Sequence, residues 1–133
     1  MSPSDTAGVE AAATALVAAF AAHDVPAYFA SFAPEATFVF HTSPHVLGSR
    51  AEYEREWAQW ERDGFRVEGC ESLERRIDLL TPDVAVLTHR VRTRLAGVDE
   101  TQRERETIVF RRDGSGSWLA VHEHLSPDPG EDR

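Results

Sequence analysis

Residues Ala22–Phe40 read AHDVPAYFASFAPEATFVF and pass from helical to extended local structure within a short length of chain. Asp24 followed by Pro26 indicates the start of a short helix, because an aspartate caps free backbone N–H groups and proline is tolerated in the first turn. The apolar side of this helix consists of Tyr28, Phe29 and Phe32. Pro34 ends the helix, and the β-rich run Ala36–His41 (ATFVFH) then predicts a strand.

Two further helices flank this segment. The preceding one is indicated by apolar residues at helical spacing, Val9, Ala13, Leu16 and Phe20. After the strand, Ser49 and Glu52 form an S-x-x-E capping box, which predicts a third helix that ends at Gly64. That helix carries the aromatic residues Tyr53, Trp57 and Trp60 on one face.

From Phe65 onward the pattern changes to strands separated by the turn sequences TPD, AGVDE and DGSGS. The predicted strands are Phe65–Leu80, Val84–Leu95, Thr101–Arg112 and Trp118–Leu125. This order predicts an α+β fold, in which one curved, mostly antiparallel sheet wraps around three N-terminal helices. We expect a single domain over residues 1–133, with a core from about 6 to 126 and a flexible tail over 127–133.

Composition and charge exclude several classes of function. The net charge of −9 argues against nucleic-acid binding, which needs a basic stripe. Cys70 is the only cysteine, so neither an intrachain disulfide nor a cysteine-rich zinc module is expected. The apolar run Ala11–Ala22 follows no basic residue and is too short to span a bilayer. We therefore expect a cytoplasmic protein without a membrane partner.

Two segments carry a resemblance to a known superfamily: Ala22–Phe40 and Phe110–Ser126, which reads FRRDGSGSWLAVHEHLS. Over about residues 6–126 the chain resembles the nuclear transport factor 2-like superfamily. This superfamily includes ketosteroid isomerase, the SnoaL-like polyketide cyclases and the association domain of calmodulin-dependent kinase II. The resemblance implies a cone-shaped α+β barrel with an apolar central pocket, and a homodimer formed through the outer face of the sheet.

The resemblance also tests whether the isomerase chemistry is retained. Ungapped alignment places Leu16 where ketosteroid isomerase has its oxyanion-hole tyrosine, and Phe40 where it has its aspartate base. Ile108 stands at the position of its protonated aspartic acid. Because hydrocarbon side chains cannot move a proton, steroid isomerisation by that route is excluded under this alignment.

The resemblance and the aromatic spacing together predict the wall of the pocket. The expected substrate-binding residues are Leu16, Tyr28, Phe32, Phe40, Tyr53, Trp57, Trp60, Ile108, Phe110 and Val121. The expected occupant is a small apolar organic ligand, with no cofactor and no metal. For the aromatic residues of the third helix, packing in the core is the alternative role.

The last strand contains the main candidate for chemistry. Side chains alternate along a strand, so either Glu123 or the pair His122 and His124 faces the interior. The resemblance places the pocket-facing set at Leu119, Val121, Glu123 and Leu125. Burial would then raise the pKa of Glu123 and make it a general acid or base. The opposite facing stays open, as does a purely structural pairing of Glu123 with an arginine.

Two histidines are further catalytic candidates. His41 ends the first predicted strand beside a loop that rims the pocket, and His45 lies on that loop. In THRVRTR (Thr88–Arg94), we predict that His89 faces inward and that the alternating arginines face solvent. With the reverse facing, Arg90 would enter the pocket and suit an anionic ligand.

Two functions and one metal alternative remain open from the sequence. The first function is a cofactor-independent isomerase, cyclase or dehydratase acting on an apolar carbonyl-bearing metabolite, with Glu123 and His41 or His89 as acid and base. The second is a non-catalytic ligand-binding or oligomeric association module, which a filled cavity and a ring larger than a dimer would favour. The metal alternative combines the H-x-H pair with His41 or His89 as three imidazole ligands.

Overall fold

The structure, a computed structural model, describes residues 3–130. Its elements are α1 (Pro3–Ala21), α2 (Val25–Ala30), β1 (Phe32–Phe40), α3 (Arg50–Arg62), β2 (Val67–Thr81), β3 (Val84–Leu95), β4 (Gln102–Arg112) and β5 (Trp118–Pro127). The five strands form one open sheet in the order β1-β5-β4-β3-β2. Strands β2 to β5 are an antiparallel meander, whereas β1 pairs with β5 in parallel. The predicted α+β fold is confirmed, and the parallel pairing with β5 adds β1 to the edge of the sheet.

The junction between α2 and β1 differs from the sequence prediction. Asp24 caps α2 as predicted, since its Oδ1 accepts a hydrogen bond from the Ala27 N–H (3.3 Å). The helix ends at Ala30, however, and Phe32 is already the first residue of β1. Pro34 therefore lies within the strand. It is tolerated there because β1 is an edge strand, in which one row of backbone N–H groups has no partner strand.

The core lies between the helices and the inner face of the sheet. The predicted start of α3 is confirmed, because Ser49 Oγ accepts a hydrogen bond from the Glu52 N–H (3.2 Å). The largest fully buried side chains are Trp57, Tyr28, Phe32, Phe38, Phe110, Leu87, Ile108 and Val9. Aromatic rings of α2, α3 and β1 pack against one another in edge and tilted arrangements.

A β-bulge interrupts the alternation of β5. The pairing of β4 with β5 passes from Val109↔His122 to Phe110↔Ala120, so Val121 is an extra residue without a partner in β4. Before the bulge, Ala120 is buried in the core; after it, Glu123 is buried. Both residues face the interior because the extra residue offsets the alternation, which would otherwise place 120 and 123 on opposite faces.

The C-terminal end of β5 is held against the outer face of the sheet. Asp128 accepts hydrogen bonds from Arg90 Nη1 (2.7 and 2.9 Å) and from Arg92 Nη2 (3.1 Å). Within the predicted tail, Pro127 thus belongs to β5 and pairs with Glu104 of β4, and Asp128 is tied to β3; residues 131–133 lie outside the described part of the chain. None of the helices within residues 3–130 combines the length and hydrophobicity needed to cross a lipid bilayer.

Candidate functional site

A cavity of about 150 Å³ lies between the helices and the inner face of the sheet. Most of its wall is apolar or aromatic: Leu16, Val17, Phe20, Tyr28, Phe40, Tyr53, Trp60, Phe65, Val91, Leu95 and Leu125. A cavity of this size accommodates about one six-membered ring. It is smaller than the pockets of roughly 300 Å³ or more that hold drug-sized ligands.

The polar part of the cavity wall is acidic. It consists of Thr42, Cys70, Thr93, Gln102, Glu104, Glu106 and Glu123. No arginine, lysine or histidine is among the described residues that line the cavity. The carboxyl groups therefore face the cavity without a basic side chain in the wall itself, although Glu104 contacts His41 and Glu106 contacts His89 outside the lining.

Glu123 is the most deeply buried of these acids. Its position in β5 places it between Phe38 of β1 and Ile108 of β4, both fully buried, and the residue is only 3% exposed. Its Oε1 atom is buried and has no hydrogen-bond partner among the described residues. Burial raises the pKa of Glu123 well above its ordinary value, and the neighbouring Glu106 charge adds to the rise. Both effects favour the protonated form of Glu123.

Glu106 of β4 forms a carboxyl pair with Glu123. The two groups share a hydrogen bond, and Glu106 Oε1 also lies 2.6 Å from His89 Nε2. Burial raises the pKa of Glu106 to about 7, although the hydrogen bond from Glu123 opposes the rise. Two carboxyl groups in contact share a proton near neutral pH, because both cannot be ionised at such a short separation.

Two tyrosines complete the polar end of the cavity. Tyr28 of α2 and Tyr53 of α3 are buried, and their hydroxyl groups are 2.8 Å apart. Burial raises the pKa of both phenols, and the negative charge of Glu123 would raise it further, so both hydroxyls keep their protons. Their mutual hydrogen bond uses one of the two protons. The other proton is available to an oxygen atom of a bound molecule.

The structure places five of the ten predicted wall residues in the cavity lining: Leu16, Tyr28, Phe40, Tyr53 and Trp60. The other five lie outside the lining. Phe32, Trp57, Ile108 and Phe110 are fully buried in the core behind the wall, where neighbouring side chains separate them from the cavity. Val121 is half-buried at the bulge, because the extra residue there displaces it from the inward-facing set.

Of the predicted catalytic residues, the structure brings Glu123 and His89 to the same polar cluster. His89 is buried and contacts Glu106, while Arg90 lies on the outer face, so the reverse facing of β3 is excluded. His41 is exposed at the rim, where its Nε2 lies 2.6 Å from Glu104 Oε2, and it is not among the described residues that line the cavity. His45 is exposed on the following loop.

The three-imidazole alternative fails on geometry. His122 and His124 lie on the outer side of β5, where Thr37 Oγ1 is 2.7 Å from His122 Nδ1, whereas His89 faces the interior. Within residues 3–130 no cluster of three or more histidine, cysteine, aspartate or glutamate side chains is arranged to hold a metal ion. Cys70 does line the cavity, but burial raises the pKa of its thiol to about 11, so it stays protonated.

Glu106 is a cavity carboxyl group that the sequence analysis did not name as a candidate. Its strand is rich in charged residues, which is typical of a solvated face. The strand period nevertheless contained the signal: Ile108 and Phe110 face inward, and counting back by two residues places Glu106 and Glu104 on the same face. The tyrosine hydroxyls were likewise overlooked, because Tyr28 and Tyr53 were considered only as apolar wall.

Known proteins share this fold. The family model of the SnoaL-like domain matches residues 9–129. A nuclear transport factor 2-like protein from Pseudomonas putida KT2440 is 18% identical over 99% of this chain and 92% of its own, with a TM-score of 0.81. A ketosteroid isomerase-like protein from Erwinia carotovora atroseptica SCRI1043 is 21% identical over 97% of this chain and 100% of its own, with a TM-score of 0.80.

A third similar structure is ActVI-ORFA from Streptomyces coelicolor, which is 17% identical over 92% of this chain and 96% of its own, with a TM-score of 0.73. No curated protein matches the chain. At these identities the three solved structures establish a shared fold and leave the chemistry to be argued from the side chains of the cavity.

Proposed function

Because the chain belongs to the SnoaL-like domain family, we propose that it is a cofactor-independent enzyme that moves a proton next to the carbonyl group of a small apolar metabolite. One observation carries this proposal: Glu123 and Glu106 form a buried carboxyl pair in the wall of a mostly apolar cavity. Such a pair holds a base and an acid side by side near neutral pH.

The reaction that suits this pair is enolisation followed by return of the proton. The ionised carboxyl group of the pair takes a proton from the carbon next to the carbonyl group. The protonated carboxyl group, or the free hydroxyl proton of Tyr28 or Tyr53, stabilises the oxygen as it becomes negative. Returning the proton to a different carbon isomerises the molecule with no net change in protons. Cyclisation or dehydration can start from the same intermediate.

The size of the cavity narrows the substrate. With about 150 Å³ the cavity fits a single ring or a short chain rather than a steroid or a multi-ring polyketide. The acidic wall, which lacks a basic side chain among the described lining residues, disfavours anionic substrates. A neutral one-ring ketone therefore fits both the volume and the charge.

The proposal can be tested with cyclohexanone, cyclopentenone and acetophenone in D₂O, by following exchange of the protons next to the carbonyl group with ¹H NMR. We expect exchange above the buffer rate. Glu123→Gln and Glu106→Gln should each lower it by about 10²–10⁴-fold. Glu54→Gln, an exposed substitution on α3, is the matched control. If none of the ketones is exchanged, or if both cavity variants exchange at the wild-type rate, the proposal is wrong.

The hollow interior favours this proposal over the association module. That alternative predicts a filled cavity, whereas the interior here is hollow and contains an unpartnered polar atom of Glu123. We keep the predicted homodimer through the outer sheet face as part of the proposal, since Val39, Val109 and Leu119 are only half-buried there. Light scattering on the wild type and on Val109→Glu tests it: the variant should become monomeric, and a monomeric wild type would contradict it.

A further inference from the structure

A row of hydrogen bonds crosses the sheet behind the cavity, through β2, β3, β4 and β5. Arg75 Nε donates to Ser72 Oγ (2.7 Å), and Ser72 Oγ lies 2.6 Å from His89 Nδ1. His89 Nε2 lies 2.6 Å from Glu106 Oε1, and Glu106 shares a hydrogen bond with Glu123. The row thus joins a cation near the surface to the carboxyl pair in the cavity.

A bulge in β2 makes this row possible. Leu73 pairs with Arg90 and Arg76 with Thr88, so Glu74 and Arg75 lie opposite the single residue His89. The extra residue turns Arg75 toward α1, where its Nη1 donates to Glu10 Oε1 (3.1 Å) and to Thr14 Oγ1 (2.8 Å). The guanidinium group of Arg75 is therefore held by hydrogen bonds from its Nε atom and from its Nη1 atom.

Arg75 fixes the direction of the first hydrogen bond in the row, because a guanidinium group has donors and no acceptor and Ser72 Oγ must accept from it. With the serine hydroxyl proton directed at His89 Nδ1, 2.6 Å away, Ser72 donates to the ring. Burial lowers the pKa of His89 to about 4, and the positive charge of Arg75 acts in the same direction. A neutral imidazole that accepts at Nδ1 carries its proton on Nε2 and donates it to Glu106.

This polarity distinguishes the two carboxyl groups. Glu106 accepts a hydrogen bond from His89, which stabilises its ionised form, whereas Glu123 has no such donor and keeps the shared proton. We propose that Arg75, Ser72 and His89 are positioning residues that make Glu106 the base and Glu123 the acid of the pair. This assignment rests on the proposed function for its catalytic meaning, but the polarity of the row is a property of the protein alone.

The polarity can be measured without a substrate. In protein labelled with ¹⁵N-histidine, two-bond ¹⁵N–¹H correlations distinguish a protonated from an unprotonated ring nitrogen. We expect the His89 signals, assigned by their loss in His89→Gln, to show a proton on Nε2 and none on Nδ1 at pH 7. Ser72→Ala and Arg75→Met should each produce a mixture of tautomers or a proton on Nδ1, whereas Ser72→Thr, which keeps the hydroxyl, should retain the wild-type pattern.

Arg76→Met is the matched control, because Arg76 is the next residue, is exposed and pairs only locally with Asp78 (3.0 Å). With exchange of the most reactive ketone as the second readout, Ser72→Ala and Arg75→Met should lower kcat about tenfold and leave KM unchanged. A proton on Nδ1 in the wild type, a cationic His89 at pH 7, or a wild-type pattern in both variants would overturn the inference.

The two proposals fail in different ways. Tautomer changes in Ser72→Ala and Arg75→Met without exchange of any ketone would remove the proposed function and leave the polarity of the row intact. Exchange that depends on Glu106 and Glu123, combined with a His89 tautomer insensitive to both substitutions, would remove only the positioning role. Arg75→Met changes a partly exposed side chain, so it gives a folded protein to measure if Ser72→Ala does not.

Discussion

Strand β3 contributes to two clusters of charged residues, one on each face of the sheet, and the clusters differ in how their charges are paired. On the outer face, Arg90 and Arg92 contact Asp128, so each charge meets an opposite charge. On the inner face, His89 of the same strand contacts Glu106, whose next neighbour is a second carboxyl group, Glu123. The outer cluster pairs positive with negative side chains, whereas the inner cluster holds two carboxyl groups next to each other in a buried position.

The difference separates the two uses of charge in this fold. Paired opposite charges on the outer face hold the end of β5 in place and need no ligand. The inner acids have raised pKa values because burial disfavours their ionised forms, which costs stability at neutral pH. Ionisable groups that lower stability and line a cavity are typical of residues that take part in catalysis.

The largest expected effect on stability comes from the inner cluster. The folded-state pKa of Glu106, about 7, lies above its ordinary value of about 4.3, so the folded protein binds a proton that the unfolded chain releases between these pH values. The contribution of Glu106 to wild-type stability should fall across this range and level off above it. Glu106→Gln removes the cost, so its gain over the wild type should grow from near zero at pH 4 to roughly 3 kcal/mol at pH 8.

Urea unfolding of both proteins at several pH values measures this gain. Glu54→Gln should follow the wild-type profile at every pH. A difference between Glu106→Gln and the wild type that does not change with pH would contradict the idea that the buried acid is a cost to folding. The same substitution is expected to lower exchange of the ketones by about 10²–10⁴-fold, so stability and activity should move in opposite directions.

The outer cluster should respond in the reverse sense. Asp128→Ala leaves Arg90 and Arg92 without the carboxylate that they share, and we expect Tm to fall by roughly 5 °C. Exchange of the ketones should stay at the wild-type rate, because the cavity lies on the other face. Asp78→Ala, which removes an exposed partner of Arg76, is the control and should change Tm much less. Equal effects of the two substitutions would show that the outer cluster is not structural.

The smallest effect is expected where a short ion pair is solvated. Arg111 Nη2 lies 2.6 Å from Glu35 Oε2, as close as His89 lies to Glu106, but the two side chains are 46% and 61% exposed. Water screens this pair and competes with it, so Glu35→Ala should change Tm by less than about 1 °C. A larger loss would mean that distance, rather than burial, determines how much these pairs contribute.

The fold could be predicted from the sequence because the helix caps, the apolar spacing and the turn sequences all indicate the same order of helices and strands. The capping residues Asp24 and Ser49 mark helix starts in the structure as predicted, and the turn sequences separate the strands as expected. The parallel pairing of β1 with β5 could not be predicted, because no local pattern encodes which edge of a sheet a distant strand joins.

The site was predicted less completely, for two physical reasons. Glu123 was placed inward, but strict alternation put Val121 inward with it; a bulge cannot be recognised from residues that are apolar on both faces. Glu106 was missed because composition suggests that a charged strand is solvated, although its period relative to Ile108 and Phe110 points inward. In β4, the alternation of inward-facing and outward-facing positions predicted the burial of Glu106 better than the charge of its side chain did.

The pairing of β1 with β5 has a consequence for the order in which the molecule can be made. Thr37 is matched with His122, so β1 has no partner strand until β5 has emerged from the ribosome. During synthesis the edge of β1 is unpaired and prone to aggregation, and we expect chaperones to bind it. Chains terminated before β5 would lack Glu123 as well as the partner strand of β1, so we expect them to show no exchange of the ketones.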